Sequence, residues 1–238
     1  MVIVDIIGSI DDKIESNTKL IFKMNQYISL VFEKIFGEQM ALYENSTELF
    51  PHWELCKISD VSEKIITGKT PPTSQEKYWG NDINFITIPD MKSTFISKTE
   101  RYISNICRKE FKNYLLPAYS LIISCIATVG LVGINTNLAL TNQQINSITF
   151  IEKNDVYFYY VYFKKIKHKL INLGVGGSAT LNINKTTFSN ILFLNPPQEL
   201  KREFFKKAIT KFEIIERLEL ENQNLEKLKS FYLSKFFK

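Results

Sequence analysis

The chain has 238 residues, enough for one large or two modest domains, and 45% of them are apolar, enough to bury a sizeable core. Its formal charge of +5 is unevenly spread: residues 1–50 carry 4 lysines against 8 acidic groups, residues 51–197 carry 16 basic against 10 acidic, and residues 198–238 carry 10 against 7. Three isolated cysteines without a C-x-x-C and two distant histidines exclude a disulfide framework or a zinc site, and no apolar run approaches the roughly 18 residues of a membrane span.

The start, Met1-Val2-Ile3-Val4-Asp5, is apolar but short, lacks a basic flank and meets an acid at once, so it does not read as a signal peptide. A cytosolic protein with reduced thiols is expected. The first element is a helix over residues 10–36. Ser9-Ile10-Asp11-Asp12 has the form of an N-terminal cap, with acids in the first turn where the helix dipole favours them. Ile10, Ile14, Ile21, Met24, Ile28, Val31 and Ile35 step by three and four, with one gap of seven. Gly37 reads as the stop, giving a helix of about 40 Å. Residues 38–52 read as a polar connector ending near Pro51.

Residues 53–197 form the middle domain and read as α/β (α+β). Ile83–Ile88, Ser120–Ile126 and Ile145–Ile151 are β-branched, apolar runs that predict strands. Asn154-Asp155 opens a helix over 156–172 with Val156, Tyr160, Phe163, Ile166 and Leu170 on one face. Its Tyr/Phe cluster has the spacing of core residues, and a base-stacking platform is the functional alternative. Ile191–Leu194 reads as a closing strand. Pro196-Pro197 then opens a last helix over residues 198–238, about 58 Å long if unbroken. Leu218, Leu225 and Tyr232 stand seven apart on its seam, and Asn222 occupies a position where an apolar residue would otherwise fall. A polar residue on such a seam fixes register and partner at some cost in stability. Neither terminal helix can bury its stripe alone. Both are free of prolines, and they repeat one pattern at an offset of about 201 residues, Ile14 onto Ile215 and Met24 onto Leu225. An antiparallel coiled coil through Ile14, Met24, Ile28, Leu218, Asn222, Leu225 and Tyr232 is therefore expected.

Three short matches to enzyme motifs fail. Gly68-Lys69-Thr70 lacks the earlier glycine of a phosphate loop, and Pro71-Pro72 forbids the helix that would follow. Gly174-Val175-Gly176 lacks a third glycine and follows a helix. Asn195-Pro196-Pro197-Gln198 resembles the N-P-P-aromatic tetrad of amino-methyltransferases without its aromatic and without a glycine-rich cofactor loop, and strand-to-helix punctuation is the favoured reading. What remains are polar loops. Amides, hydroxyls and lysines suit base-edge and phosphate contact, and turn chemistry explains them nearly as well. The candidate DNA contacts are Lys69, Thr70, Lys77, Tyr78, Trp79, Lys92, Thr128, Asn142, Gln143, Ser178, Thr180 and Asn182. The basic middle suits an acidic partner such as nucleic acid, and a lysine-rich solvated surface explains the same bias.

In this order the motifs resemble the specificity subunits of type I restriction-modification systems: W-E-L at 53–55, G-K-T-P at 68–71, Y-W-G at 78–80, I-P-D at 88–90, A-T-V-G at 127–130, T-N-Q at 141–143, G-G-S at 176–178, then N-P-P and a long helix. The flanking helices, 1–37 and 198–238, resemble that family's two spacer regions. Such subunits usually carry two target-recognition domains, whereas this chain carries one.

The resemblance implies a non-catalytic subunit that reads one half-site of double-stranded DNA and docks adenine-methylating modification subunits. A restriction subunit completes the nuclease. S-adenosylmethionine, ATP and Mg are then expected on the partner subunits and not on this chain, with neither a metal site nor catalytic residues here. The setting implied is the cytoplasm of a bacterium or archaeon, away from any membrane, with a homodimer as one source of a second recognition domain. A stand-alone DNA adenine methyltransferase and a coiled-coil adaptor without DNA contact remain the alternatives.

Overall fold

The computed structural model describes residues 2–46, 50–174 and 181–236. Helix α1 spans Val2–Phe32, a five-residue π-helical turn follows at Glu33–Gly37, and α2 spans Glu38–Ser46. The expected cap at Ser9 is not used. Nothing in Val2–Gly8 breaks a helix, and the Ser9 hydroxyl donates to the Ile6 carbonyl one turn back at 2.8 Å. Gly37 does not stop the helix either. The π turn inserts one extra residue, and Phe32 just before it and Phe36 within it are both fully buried. The expected connector over 38–52 thus begins as helix.

Strand β1 (Glu54–Lys57) and the single turn α3 (Ile58–Val61) lead into β2 (Ser62–Thr67). Then come β3 (Trp79–Ile86), β4 (Phe95–Ile96), β5 (Arg101–Ile103), the short helix α4 (Cys107–Glu110), β6 (Leu121–Ser124), β7 (Val132–Asn135), β8 (Ala139–Thr141) and β9 (Ile145–Phe150). Helices α5 (Asp155–Lys165) and α6 (Lys167–Gly174) replace the single helix expected over 156–172 and meet at Ile166. The short helix α7 (Lys185–Ser189), β10 (Leu192–Asn195) and α8 (Gln198–Phe236) complete the chain.

The described strands form a five-stranded sheet ordered β2-β9-β6-β7-β4, a three-stranded sheet ordered β5-β3-β8, and the antiparallel pair β1-β10. The first is antiparallel except where β4 runs parallel to β7. Buried between that sheet and the terminal helices is α5. A helix apolar on all sides belongs in a core, and residues 158–163 of α5 are all buried. The Tyr/Phe cluster is therefore structural. Phe150 stacks on Tyr159 at 4.5 Å and Phe163 on Phe188 at 5.9 Å.

The terminal helices pair antiparallel. Phe32 meets Phe204 edge-on at 5.7 Å, Lys211 lies over Tyr27 at 4.8 Å, and Lys229 binds Asp11 at 2.6 Å, so positions rise along α1 as they fall along α8. Ile28 and Leu218 are buried on this seam, and Ile14, Met24, Leu225 and Tyr232 are half-buried. Asn17 fills the seven-residue gap in the apolar stripe and donates to Asn222 and to Glu221, both at 2.9 Å. The outer faces keep Phe22, Leu30, Leu220, Leu228 and Phe231 exposed. Among the described residues no helix is long and apolar enough to cross a membrane.

Two polar links lock the domain onto α8. Glu219 is buried and accepts the backbone N–H groups of Thr94 at 2.9 Å and Phe95 at 2.8 Å, which closes the free edge at β4. Burial raises its pKa, and those two amides oppose the shift. Lys201 and Asp155 form a buried ion pair at 2.6 Å, with Gln198 donating to the other carboxylate oxygen at 2.9 Å.

Candidate nucleic-acid interface

The loop after β2 is held against the end of β8 by backbone bonds. Gly68 N–H donates to Ile145 at 3.0 Å and Lys69 N–H to Thr141 at 2.8 Å. The approach is so close that a side chain at Gly68 would run into the Thr141 and Asn142 carbonyls, so only glycine fits here. Beside it, Thr67 donates to Asn146 at 2.6 Å and Asn146 donates to the Ile183 carbonyl at 3.2 Å. Cys125 N–H donates to Gln144 at 2.8 Å, Ile183 N–H to Cys125 at 2.9 Å, and Ile126 bridges Asn182. These bonds gather four separate segments, 67–72, 125–128, 142–144 and 182–183, at one edge of the sheets.

That edge presents polar groups. Thr70 donates to Gln143 Oε1 at 2.7 Å, and among the described residues the Nε2 donors of this exposed side chain have no partner. Thr128 and Asn182 are also exposed. Asn142 is bonded locally to Gln144, at 3.0 Å through its amide and 3.1 Å through its carbonyl, so it shapes the turn that carries Gln143. The Lys69 ammonium lies 5.1 Å from the Tyr114 ring and 5.9 Å from Phe111. Trp79 donates to the Pro72 carbonyl at 3.3 Å, and the Arg101 guanidinium stacks on its indole at 3.7 Å. Arginine is rare in this chain, 4 residues against 26 lysines, and that rarity was the one sequence signal for Arg101.

Other candidates are placed differently. Tyr78 is buried against Phe111, and its hydroxyl donates to Glu110 at 2.5 Å, so its ring offers no free face to a base. Lys77 lies 3.5 Å from Glu110 and is not a free cation. The Tyr78 hydroxyl bond holds the Glu110 carboxyl below the ordinary carboxylate range, and Lys77's own contact with that hydroxyl, followed by the nearby Glu110 charge, raises the lysine's pKa. Lys92 lines a cavity against α1 instead of the loop edge. Ser178 and Thr180 lie outside the described residues. Asn195 is the last residue of β10 and accepts from Tyr159 at 3.2 Å, while the Pro197 carbonyl accepts from the first turn of α8. Asn-Pro-Pro is thus strand-to-helix punctuation. Burial raises the Cys125 thiol to about 11. Among the described residues no group of three or more His, Cys, Asp or Glu is placed to hold a metal ion.

The sequence profile of the type I restriction modification DNA specificity domain matches residues 51–230. The chain belongs to this family. As a specificity-domain chain it is 38% identical over 184 residues to the HindI specificity subunit of Haemophilus influenzae, across 76% of this chain and 40% of that relative. It is 29% identical over 182 residues to the MjaIX specificity subunit of Methanocaldococcus jannaschii, across 74% of this chain and 41% of that relative. The chain therefore spans about two fifths of the length of both curated relatives. Its fold is shared with the S subunit from M. genitalium, at a TM-score of 0.67 and 11% identity, over 98% of this chain and 59% of that one. The HsdS subunit from Thermoanaerobacter tengcongensis has a TM-score of 0.54 at 15% identity, over 98% and 55%. A specificity-domain fold held between two helices is common to all three.

Proposed function

We propose that this chain is a non-catalytic, sequence-specific DNA-recognition subunit of a type I restriction-modification complex. It reads one half-site with the loop edge and docks the adenine-methylating modification subunit through the helix pair. The observation that carries the reading is the convergence of four polar loops on one rigid edge. Base edges are met by amides and guanidinium groups that reach into a groove from a fixed scaffold. Gln143, Thr128, Asn182 and the stacked Arg101 are such groups, with Lys69 as a phosphate contact. Lys77 has a reduced role and Tyr78 a structural one. The family name and the two named relatives support this reading.

In this reading S-adenosylmethionine belongs to the modification subunit, and ATP and Mg to the restriction subunit, in a cytoplasmic complex. Two copies of the chain, paired through the outer apolar residues of the helices, supply two recognition domains and a bipartite target. Selection from a random DNA pool in the presence of the modification subunit tests the whole. Enrichment of one short sequence, appearing twice at fixed spacing, is expected. A pool that stays random overturns the reading.

A further inference from the structure

A second basic feature lies away from the loop edge. Between α1 and the domain is a cavity of about 350 Å³ lined by Lys92, Lys164 and Lys167, with Asn25 of α1 and Ser93 among its polar neighbours. The three lysines come from the segment before β4, the end of α5 and the start of α6. A smaller cavity of about 150 Å³ shares Asn25, Tyr160 and Lys164 and adds Ser29. Together they make one cleft along the seam where the helix pair meets the domain.

All three lysines are exposed, and among the described residues none has an ion-pair partner. Their neighbours do: Lys165 pairs with Glu33 and Lys201 with Asp155. Among the described residues the carboxylate in the wall is Glu219; both its oxygens accept backbone N–H groups, and it also feels the charge of Lys164. Two of the cations are held in place. Lys164 donates to the Tyr160 hydroxyl at 3.3 Å, and that hydroxyl donates to Thr94 at 3.0 Å. The Lys167 stem crosses Gly130, where an added Cβ would stand 2.8 Å from its Cγ and the backbone has φ +86°. Both facts require glycine at that point. Three ammonium groups lining one cavity offer several charged donors to an anion with several acceptor oxygens.

We infer that this cleft is a phosphate-binding site, at which a phosphate group bridges the helix pair, through Asn25, to the domain, through Lys92, Lys164 and Lys167. The inference deepens the DNA-reading function, because the phosphate can be a backbone phosphate of the bound duplex. A free phosphate offers the same chemistry, and the experiment separates the two sources.

The full chain is prepared as Lys92→Gln, Lys164→Gln and Lys167→Gln, with Lys206→Gln on an exposed position of α8 as a charge-matched control. In one arm, affinity for a random-sequence duplex is followed against salt. Each cleft variant is expected to lower the salt slope by about one unit and to weaken all sequences alike, while the control follows the parent. In the other arm, inorganic phosphate is titrated while the amide resonances of Thr94 and Gly130 are followed by NMR. A saturable shift in the parent chain, lost in the cleft variants, is expected if free phosphate is taken. Loss in the duplex arm alone assigns the site to the DNA backbone, and loss in the phosphate arm alone to a free ion. Parent-like behaviour of all three variants in both arms overturns the site. If the duplex still binds in that case, the loop reading stands without the cleft. If no form binds duplex, the DNA reading falls and the phosphate arm decides the cleft.

Discussion

Asn17 donates to Asn222 across the helix pair at 2.9 Å, at the point where the apolar stripe of α1 skips a full heptad. The gap in one seam and the polar residue in the other are the same feature. Asn17 is 3% exposed, and the outer side of Asn222 reaches Thr18 at 3.5 Å, so a single polar layer crosses an otherwise apolar interface. Such a layer costs stability and fixes register.

Asn17→Ala removes the donor that Asn222 and Glu221 share. It is expected to lower stability by about 1–2 kcal/mol, because both partners are partly wetted and water replaces some of the loss. The paired replacement N17L/N222L is expected to raise the melting temperature while admitting more than one assembly. Thermal melts together with size-exclusion light scattering check both halves. A double variant less stable than the parent would count against the layer as a specificity device.

Asp155→Ala strands the Lys201 ammonium, whose side chain is 4% exposed, with no carboxylate. A loss of about 3–5 kcal/mol in urea unfolding is expected. Replacing both partners with Leu and Met is expected to recover most of it, because neither charge then remains to be solvated by the core. If the single and double variants are equally destabilised, packing and not charge is at issue.

Glu219 gives a pH dependence of definite sign. Burial raises its folded pKa above 4.5, so between that value and the folded pKa the folded chain binds more protons than the unfolded chain. Stability contributed at this site is therefore fully present at lower pH and is lost as pH rises through the folded pKa, with a slope no steeper than about 1.4 kcal/mol per unit. Glu219→Gln keeps the shape and removes the titration. The parent is expected to lose stability relative to this variant as pH rises above 4.5, read from melts in a buffer series. A difference that is flat with pH, or grows in the other direction, contradicts the burial argument.

Gln143→Ala is expected to lose about 1–3 kcal/mol of discrimination at one base pair while folding is kept. Because Thr70 holds Gln143, Thr70→Val is expected to weaken the same discrimination by a smaller amount. A uniform drop over all sequences, or a fall in melting temperature with specificity intact, assigns the pair to turn structure instead. Comparative binding to single-base target variants distinguishes the outcomes.

The helix pair was legible because it rests on local periodicity: two breaker-free stripes that nothing else in the chain could cover. The strands at β6 and β9 were legible for the same reason, as short β-branched runs, and β10 as an apolar run closed by two prolines. The π turn was not, because Glu33–Gly37 reads as ordinary helix followed by a glycine stop, and only the burial of Phe36 explains the extra residue. Tyr78 looked available because its partner Glu110 is 32 residues away. Arg101 meets Trp79 only through the pairing of β5 with β3, where Phe85 faces Arg101. Lys69 and Lys92 carry the same sequence signal, and long-range sheet pairing alone sends them to different places. Periodicity reports elements; it does not report which loops end up as neighbours.

Phe36 and Phe204 have a further consequence. Their rings lie 5.8 Å apart, with Phe36 edge-on to Phe158 of α5, where the π turn at the end of α1 faces the early turns of α8. The domain is thus an insertion at the open end of a helical hairpin, entering and leaving through one aromatic neck. Its two attachment points stay together whatever is spliced between them, and the closure cost of such a splice grows only slowly with its length. A cassette exchanged between Phe36 and Gln198 would replace the loop edge while the helix pair kept its length and its register.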